Sequence, residues 1–378
     1  MQNHDPQTNS QVENISKYNA GSKNPGLKLE NNFFSAKRVI IILLIGIGIW
    51  ILIPNIIGLK ETLILLERIK YWAFILAVAA ESFFYIGSTI LTRTVLRMTN
   101  DKLSFYDVLK ISIMDSFSVQ FLPLASFGEA AVDYYFYKAK NIRTSHIILM
   151  FIARTMVIWI VFAVIYLIGA AFSPSNSGIS PTKILIIWLI YFAGFALLFY
   201  LIFLYTNRNR LLAKAKKLIS LANKITNLLK LKRFPESGIP GIVDKVYQAT
   251  YILSQNPRLQ VYSIIGALCF WFGDIFCLYF AFLGFGFHAN LAIVIFAYCI
   301  TRILTTISFI PGGLGVAEAS LSLIFISFGI PASTALAAVL IFRLISFWIP
   351  IPVGFWSFLS LQRNSIKMKV GLVSNESN

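Results

Sequence analysis

The stretch FIPGGLGVAEAS, residues 309–320, decides the fold. It lies inside a long apolar region, yet it holds a proline, three glycines and a glutamate. Pro311 cannot continue a helix that reaches it from the N-terminal side. Gly312, Gly313 and Gly315 let the chain turn sharply and let other groups approach its backbone. A new apolar run starts at once, at Ala317. This pattern predicts a broken membrane helix, one half ending at Pro311 and the next starting near Gly315. Broken helices at membrane depth occur where bare backbone faces protein or a wet cavity, so the stretch also marks a candidate binding site.

Composition agrees with a membrane setting. Of 378 residues, 57% are hydrophobic and 13% charged, against a usual charged share of about 25%. Mean hydropathy is +0.73. Apolar runs at 39–58, 71–92, 146–172, 183–205, 259–287 and 333–361 approach or exceed the roughly 20 residues that span a bilayer. The net charge of +17 is placed in segments flanking these runs. There it sets orientation and meets anionic lipid rather than nucleic acid. Cys269, Cys277 and Cys299 lie in apolar runs without metal-like spacing, and the three histidines are scattered. No metal site, cofactor or catalytic residue is expected from them.

The expected architecture is an all-α polytopic integral membrane protein. It has about six full spans plus two broken or re-entrant helical hairpins, arranged as an inverted-topology repeat. Residues 1–36 read as a disordered cytoplasmic tail. Residues 37–172 form a first membrane repeat, and 183–206 with 259–362 a second. Residues 207–258 are a basic amphipathic insertion. In it Leu211, Ala215, Leu218, Ala222, Ile225 and Leu229 recur at helical spacing among lysines. That helix fits either an anionic membrane surface or the protein's own cytoplasmic face. Residues 363–378 are a short C-terminal tail. The placement of Lys and Arg puts both termini in the cytoplasm, in a cell membrane.

The repeat is read from FLPLASFGEAA, residues 121–131, set beside FIPGGLGVAEA, residues 309–319. Each has proline, a loop of small residues, then Glu-Ala. Arg154 follows Glu129 by 25 residues, and Arg343 follows Glu318 by 25. Trp159 and Trp348 each follow their arginine by five. Charges inside spans are costly enough that they must face one another or a wet cavity. The candidate substrate-binding set is therefore Arg154, Arg343, Glu129, Glu318, Pro123, Gly128, Pro311, Gly312, Gly313 and Gly315. Asp115, Arg302 and Asp274 are secondary candidates, and Glu81 and Asp133 are further charges within apolar runs. Two arginines beside two helix N-termini suit a lipid phosphate. The same residues admit plainer roles. Both glutamates stand where they would cap helix starts, and both arginines could be structural ion pairs.

At PGGLGVAEA the chain resembles the transmembrane region of the lysylphosphatidylglycerol synthase/flippase-like membrane family. FLPLASFGEAA, IFRLISFW (residues 341–348) and FWFGD (residues 270–274) carry the same resemblance. It implies a role in moving phospholipid or polyprenyl-linked lipid between leaflets, with membrane lipids as partners. It maps the family motif onto Pro311, Gly312, Gly313, Gly315 and Glu318 and, through the internal repeat, onto Pro123, Gly128 and Glu129. Some members carry a soluble aminoacyltransferase domain; none is expected within these 378 residues, and lysyl transfer by them is not expected. The competing expectations are a lipid-group transferase and a non-catalytic partner of a separate lipid-modifying enzyme.

Overall fold

The computed structural model describes residues 69–121, 125–172, 208–228, 239–308 and 310–361. The expected spans at 39–58 and 183–205, both terminal tails and the turn at 122–124 lie outside the described residues. What is described is helical, with no strand among the described residues.

The helices run α1 (Tyr71–Met98), α2 (Phe105–Phe121), α3 (Ala125–Ala139), α4 (Thr144–Ala171), α5 (Arg208–Leu228), α6 (Ile239–Gln255), α7 (Pro257–Gly284), α8 (Leu291–Ser308), α9 (Val316–Ser327) and α10 (Ala332–Leu361). Five of them, α1, α4, α7, α8 and α10, are long and apolar enough to cross a membrane. The order long, short, short, long occurs twice. It is 28, 17, 15 and 28 residues for α1 to α4, then 28, 18, 12 and 30 for α7 to α10. At 1.5 Å per residue, α9 reaches only about 18 Å, short of a hydrocarbon core of about 30 Å.

Local chemistry sets the ends of these helices. Asn256 accepts the Leu259 N–H at 3.3 Å and Pro257 takes the first helical position, so α7 starts there. Ser104 accepts the Asp107 N–H at 3.1 Å and starts α2. Asn100 and Asn141 sit at φ 63°, stopping α1 and α3 in the left-handed region that asparagine tolerates. The Asp107–Lys140 pair (2.9 Å) and the Asp101–His146 contact (2.7 Å) then tie these helix ends together.

The central packing is α1 against α7, antiparallel. The Lys70 N–H donates to the Gly284 carbonyl at 2.9 Å where one helix begins and the other ends. Further along, Gly273 faces Ala80 and Phe84, and Gly87 faces Gly266 and Phe270. Small residues at these points let the backbones touch, the usual way helices pack where burial of oily surface gives no preference for protein over lipid. Outward faces carry Ile75 and Phe83 of α1, Ile160 and Val164 of α4, and Leu323 of α9, all exposed. Exposed apolar side chains of this kind suit contact with lipid.

Among the described residues, the basic segment at 207–258 holds the expected amphipathic helix, α5, and a second one, α6. On α5, Lys214, Lys216 and Lys217 are exposed, and Leu211, Ala215 and Ile219 are half-buried. On α6, Val243 and Ala249 are buried, and the helix packs chiefly on α4.

The α1–α7 contact gives a first test. A Cβ at Gly87 would lie 2.4 Å from the Phe270 nitrogen and 2.5 Å from the Gly266 oxygen. Gly87→Ala should therefore lower stability by about 1–3 kcal/mol, read as a reduced thermal midpoint in detergent. Gly241→Ala, with nothing within 4 Å of the new atom, should leave the midpoint nearly unchanged.

Candidate functional site

The break after α8 is one 3₁₀ turn, Pro311–Gly313. Gly312, Gly313 and Gly315 have φ values of 60°, 62° and 80°, a region that residues with a side chain adopt at a cost. Space is also short. A Cβ on Gly312 would meet the Phe347 ring at 2.2 Å, and one on Gly313 would meet Thr305 Cγ2 at 2.7 Å.

The turn is held by one charged network. Glu318, in the first turn of α9, accepts the Gly315 N–H on Oε2 at 2.7 Å. Its other oxygen accepts Arg343 Nε at 2.7 Å. Arg343 Nη2 donates to the Gly312 carbonyl at 2.9 Å, and the guanidinium lies 4.3 Å from the centre of the Phe347 ring. Phe347 belongs to a π-turn, Leu344–Trp348, immediately after Arg343. Such one-turn widenings often sit at functional positions. Capping and ion pairing, separate alternatives in the sequence, are done here by one glutamate.

In the first half, Arg154 Nη2 donates to Glu129 Oε1 and lies 3.2 Å from Asp133 Oδ2. Its Nη1 lies 3.5 Å from Asp115 Oδ2. The three acids each have an oxygen within 4.8 Å of the others'. They could supply oxygen ligands to a cation, but Arg154 already stands among them, so an ion would have to displace the guanidinium. Pro123 lies outside the described residues, and Gly128 lies within α3.

A third group is central. Arg302 on α8 lies 5.6 Å from the ring centre of Trp271 and 5.9 Å from that of Tyr298. Tyr298 donates its hydroxyl to Asp274 Oδ2, and the Asp274 carboxyl also meets Glu81 from α1. Among the described residues, Arg302 has no carboxylate at ion-pair distance and its guanidinium makes no hydrogen bond.

The three groups line one cavity of about 480 Å³. Its wall includes Glu81, Asp115, Glu129 and Asp274, and also Arg154, Arg302, Arg343, Gly312 and Gly313. The two 25-residue Glu–Arg spacings thus become two ion pairs facing one space. Arg302 and Asp274, secondary candidates in the sequence, and Glu81, a further charge in an apolar run, have no counterpart in the repeated motif. The usable signal was positional. Tyr298 and Arg302 are four apart on one helix, and Glu81 and Asp274 lie on the corresponding long helices of the two halves.

The sequence matches the family described as Lysylphosphatidylglycerol synthase TM region over residues 32–354, and the chain belongs to that family. It is 32% identical over 118 residues to a UPF0104 membrane protein of Methanothermobacter thermautotrophicus, covering 31% of this chain and 34% of that one. Against a UPF0104 membrane protein of Methanocaldococcus jannaschii it is 26% identical over 183 residues, covering 48% and 52%. A UPF0104 membrane protein of Pyrococcus horikoshii is 30% identical over 109 residues, covering 29% and 32%. The matches span about a third to a half of these relatives. Family membership and the apolar helices together make this a multi-pass membrane protein.

The second-half network predicts strong coupling. Arg343→Gln leaves Glu318 buried without its cation and should cost about 3–5 kcal/mol. Adding Glu318→Gln should recover part of that loss. A double-mutant cycle on unfolding in detergent measures the coupling, and additive losses would contradict the network.

Proposed function

We propose that this member of the lysylphosphatidylglycerol synthase transmembrane family moves an anionic or polyprenyl-phosphate-linked lipid between leaflets. The headgroup passes through the cavity while the chains remain in the bilayer. The supporting observation is Arg302. It lines the cavity against two aromatic faces, and among the described residues no carboxylate stands at ion-pair distance from it. A guanidinium in that state is ready for a phosphate, which matches its fork of donors.

Arg154 and Arg343 play a different part in this reading. Each already holds a carboxylate, so a phosphate would have to compete with Glu129 or Glu318. They shape the two walls, and Arg302 takes the charge. The two helix sets act as oppositely oriented repeats that rock about the cavity, as in many secondary transporters. Both termini then face the cytoplasm, as the distribution of Lys and Arg suggests. On this orientation the exposed lysines of α5 lie near anionic headgroups.

The test is leaflet exchange in liposomes with fluorescent phosphatidylglycerol and an uncharged glycolipid. Arg302→Gln should slow phosphatidylglycerol exchange tenfold or more, from the loss of about 1.5–3 kcal/mol of charge-assisted contact. Unchanged exchange in that variant would remove Arg302 from the site. No exchange of phosphatidylglycerol or of a polyprenyl phosphate by the wild type would overturn the flippase reading.

A further inference from the structure

We propose that one face of α2 is a subsite for hydroxyl groups, so that the headgroup taken into this cavity is a phosphate carrying a sugar or polyol. This rests on the flippase reading, in which Arg302 holds the phosphate, and it names the chemistry attached to that phosphate.

Helical spacing sets the face. Ser112, Asp115, Ser116, Val119 and Gln120 all line the cavity, and positions i, i+3, i+4, i+7 and i+8 share one side of a helix. All but Val119 are polar. Packing on the far side holds the helix in this rotation. Met114 and Phe117 are fully buried there, with Phe117 against Gly354 and Phe355 of α10. The helix also packs on the Pro311–Gly313 turn, so its polar face stands beside the break.

The strongest acceptors on this face are not used by the protein. Gln120 is 6% exposed and Asp115 5%. Gln120 Oε1 and both Asp115 oxygens are buried, with no hydrogen-bond partner among the described residues. Arg154 Nη1 stands 3.5 Å from Asp115 Oδ2 without a hydrogen bond to it. Ser112 accepts from Ser88 at 3.2 Å. Buried acceptors left open in this way cost stability until a donor reaches them.

The short helix of the second half meets the cavity at the same spacing but is committed differently. On α8, Tyr298 donates to Asp274, Ser320 donates to Thr301, and Thr305 and Thr306 donate to the Arg302 carbonyl. That helix offers a cation, while α2 offers acceptors. A ligand that satisfies both carries an anion and hydrogen-bond donors together. The α2 face runs from Ser112 to Gln120, about 12 Å along the axis. The hydroxyls of a sugar or polyol spread over such a length, whereas an ammonium brings its donors to one point. Gln120 is uncharged and Asp115 already has Arg154 beside it, so neutral donors suit the strip.

The test is probe binding to the full chain in a maltoside detergent, read by tryptophan fluorescence, since Trp159 and Trp271 line the cavity. The probes are glucose 1-phosphate, ethyl phosphate and phosphorylethanolamine. Glucose 1-phosphate should bind about tenfold or more tighter than ethyl phosphate, because only the first fills the open acceptors. Gln120→Leu should cut that ratio about threefold or more and leave ethyl phosphate binding unchanged. Its thermal midpoint should match or exceed that of the wild type, since an unpartnered buried carbonyl is removed. Arg302→Gln should weaken both phosphates alike and keep the ratio. Equal binding of the two phosphates would overturn the proposal, as would tighter binding of phosphorylethanolamine than of glucose 1-phosphate. So would an unchanged ratio in Gln120→Leu, or no binding of either phosphate. The ratio judges the α2 face, and the response of ethyl phosphate to Arg302→Gln judges the headgroup reading, so the two fail separately.

Discussion

Arg343 bonds the Glu318 carboxylate and the Gly312 carbonyl at once, and the centre of the second half depends on that double contact. A helix broken at membrane depth exposes peptide groups that lipid cannot satisfy. Here the guanidinium takes the free carbonyl, the glutamate takes the free Gly315 N–H, and the two side chains neutralise each other. The turn can then stay open on its remaining side. Phe347 closes against Gly312, which explains why this position has no room for a side chain.

The first half uses the same arginine–glutamate pair with a different balance. Arg154 meets Glu129, Asp133 and Asp115, so three acids surround one cation, while Arg343 has one glutamate partner among the described residues. The cavity is consequently asymmetric in charge although the order of its helices repeats. Between the halves, the α1–α7 contact acts as a spine. Its glycines bring the helices close enough for Glu81 and Asp274 to meet, and that closeness creates the third charged group.

Much of this was legible in the residues. Apolar run lengths anticipated α1, α4, α7 and α10. The proline and glycines of 311–315 anticipated the break, and the paired 25-residue spacing singled out the four residues that the structure joins in two ion pairs. These features are local or periodic, and each follows from a constraint felt along a single stretch of chain. Some boundaries moved. The helix expected at 71–92 continues to Met98, since Arg93 reaches the Leu103 carbonyl and so does not end the span. The basic segment holds a second helix, Ile239–Gln255, packed on the bundle. Its apolar positions, Val243 and Ala249, found a protein partner that charge density alone could not indicate.

The sequence by itself determined the membrane class, the broken helix and the repeated spacing of each glutamate from its arginine. Bilayer thickness, the backbone's need for hydrogen bonds and the cost of a lone charge in lipid leave few alternatives. Only the tertiary structure decided which arginine was left without a carboxylate neighbour. Arg302, Asp274, Tyr298 and Glu81 come from three helices, and nothing in their spacing along the chain fixes their distances in space. Those distances follow from how closely α1 and α7 approach and from where α8 crosses them, and packing between helices sets both.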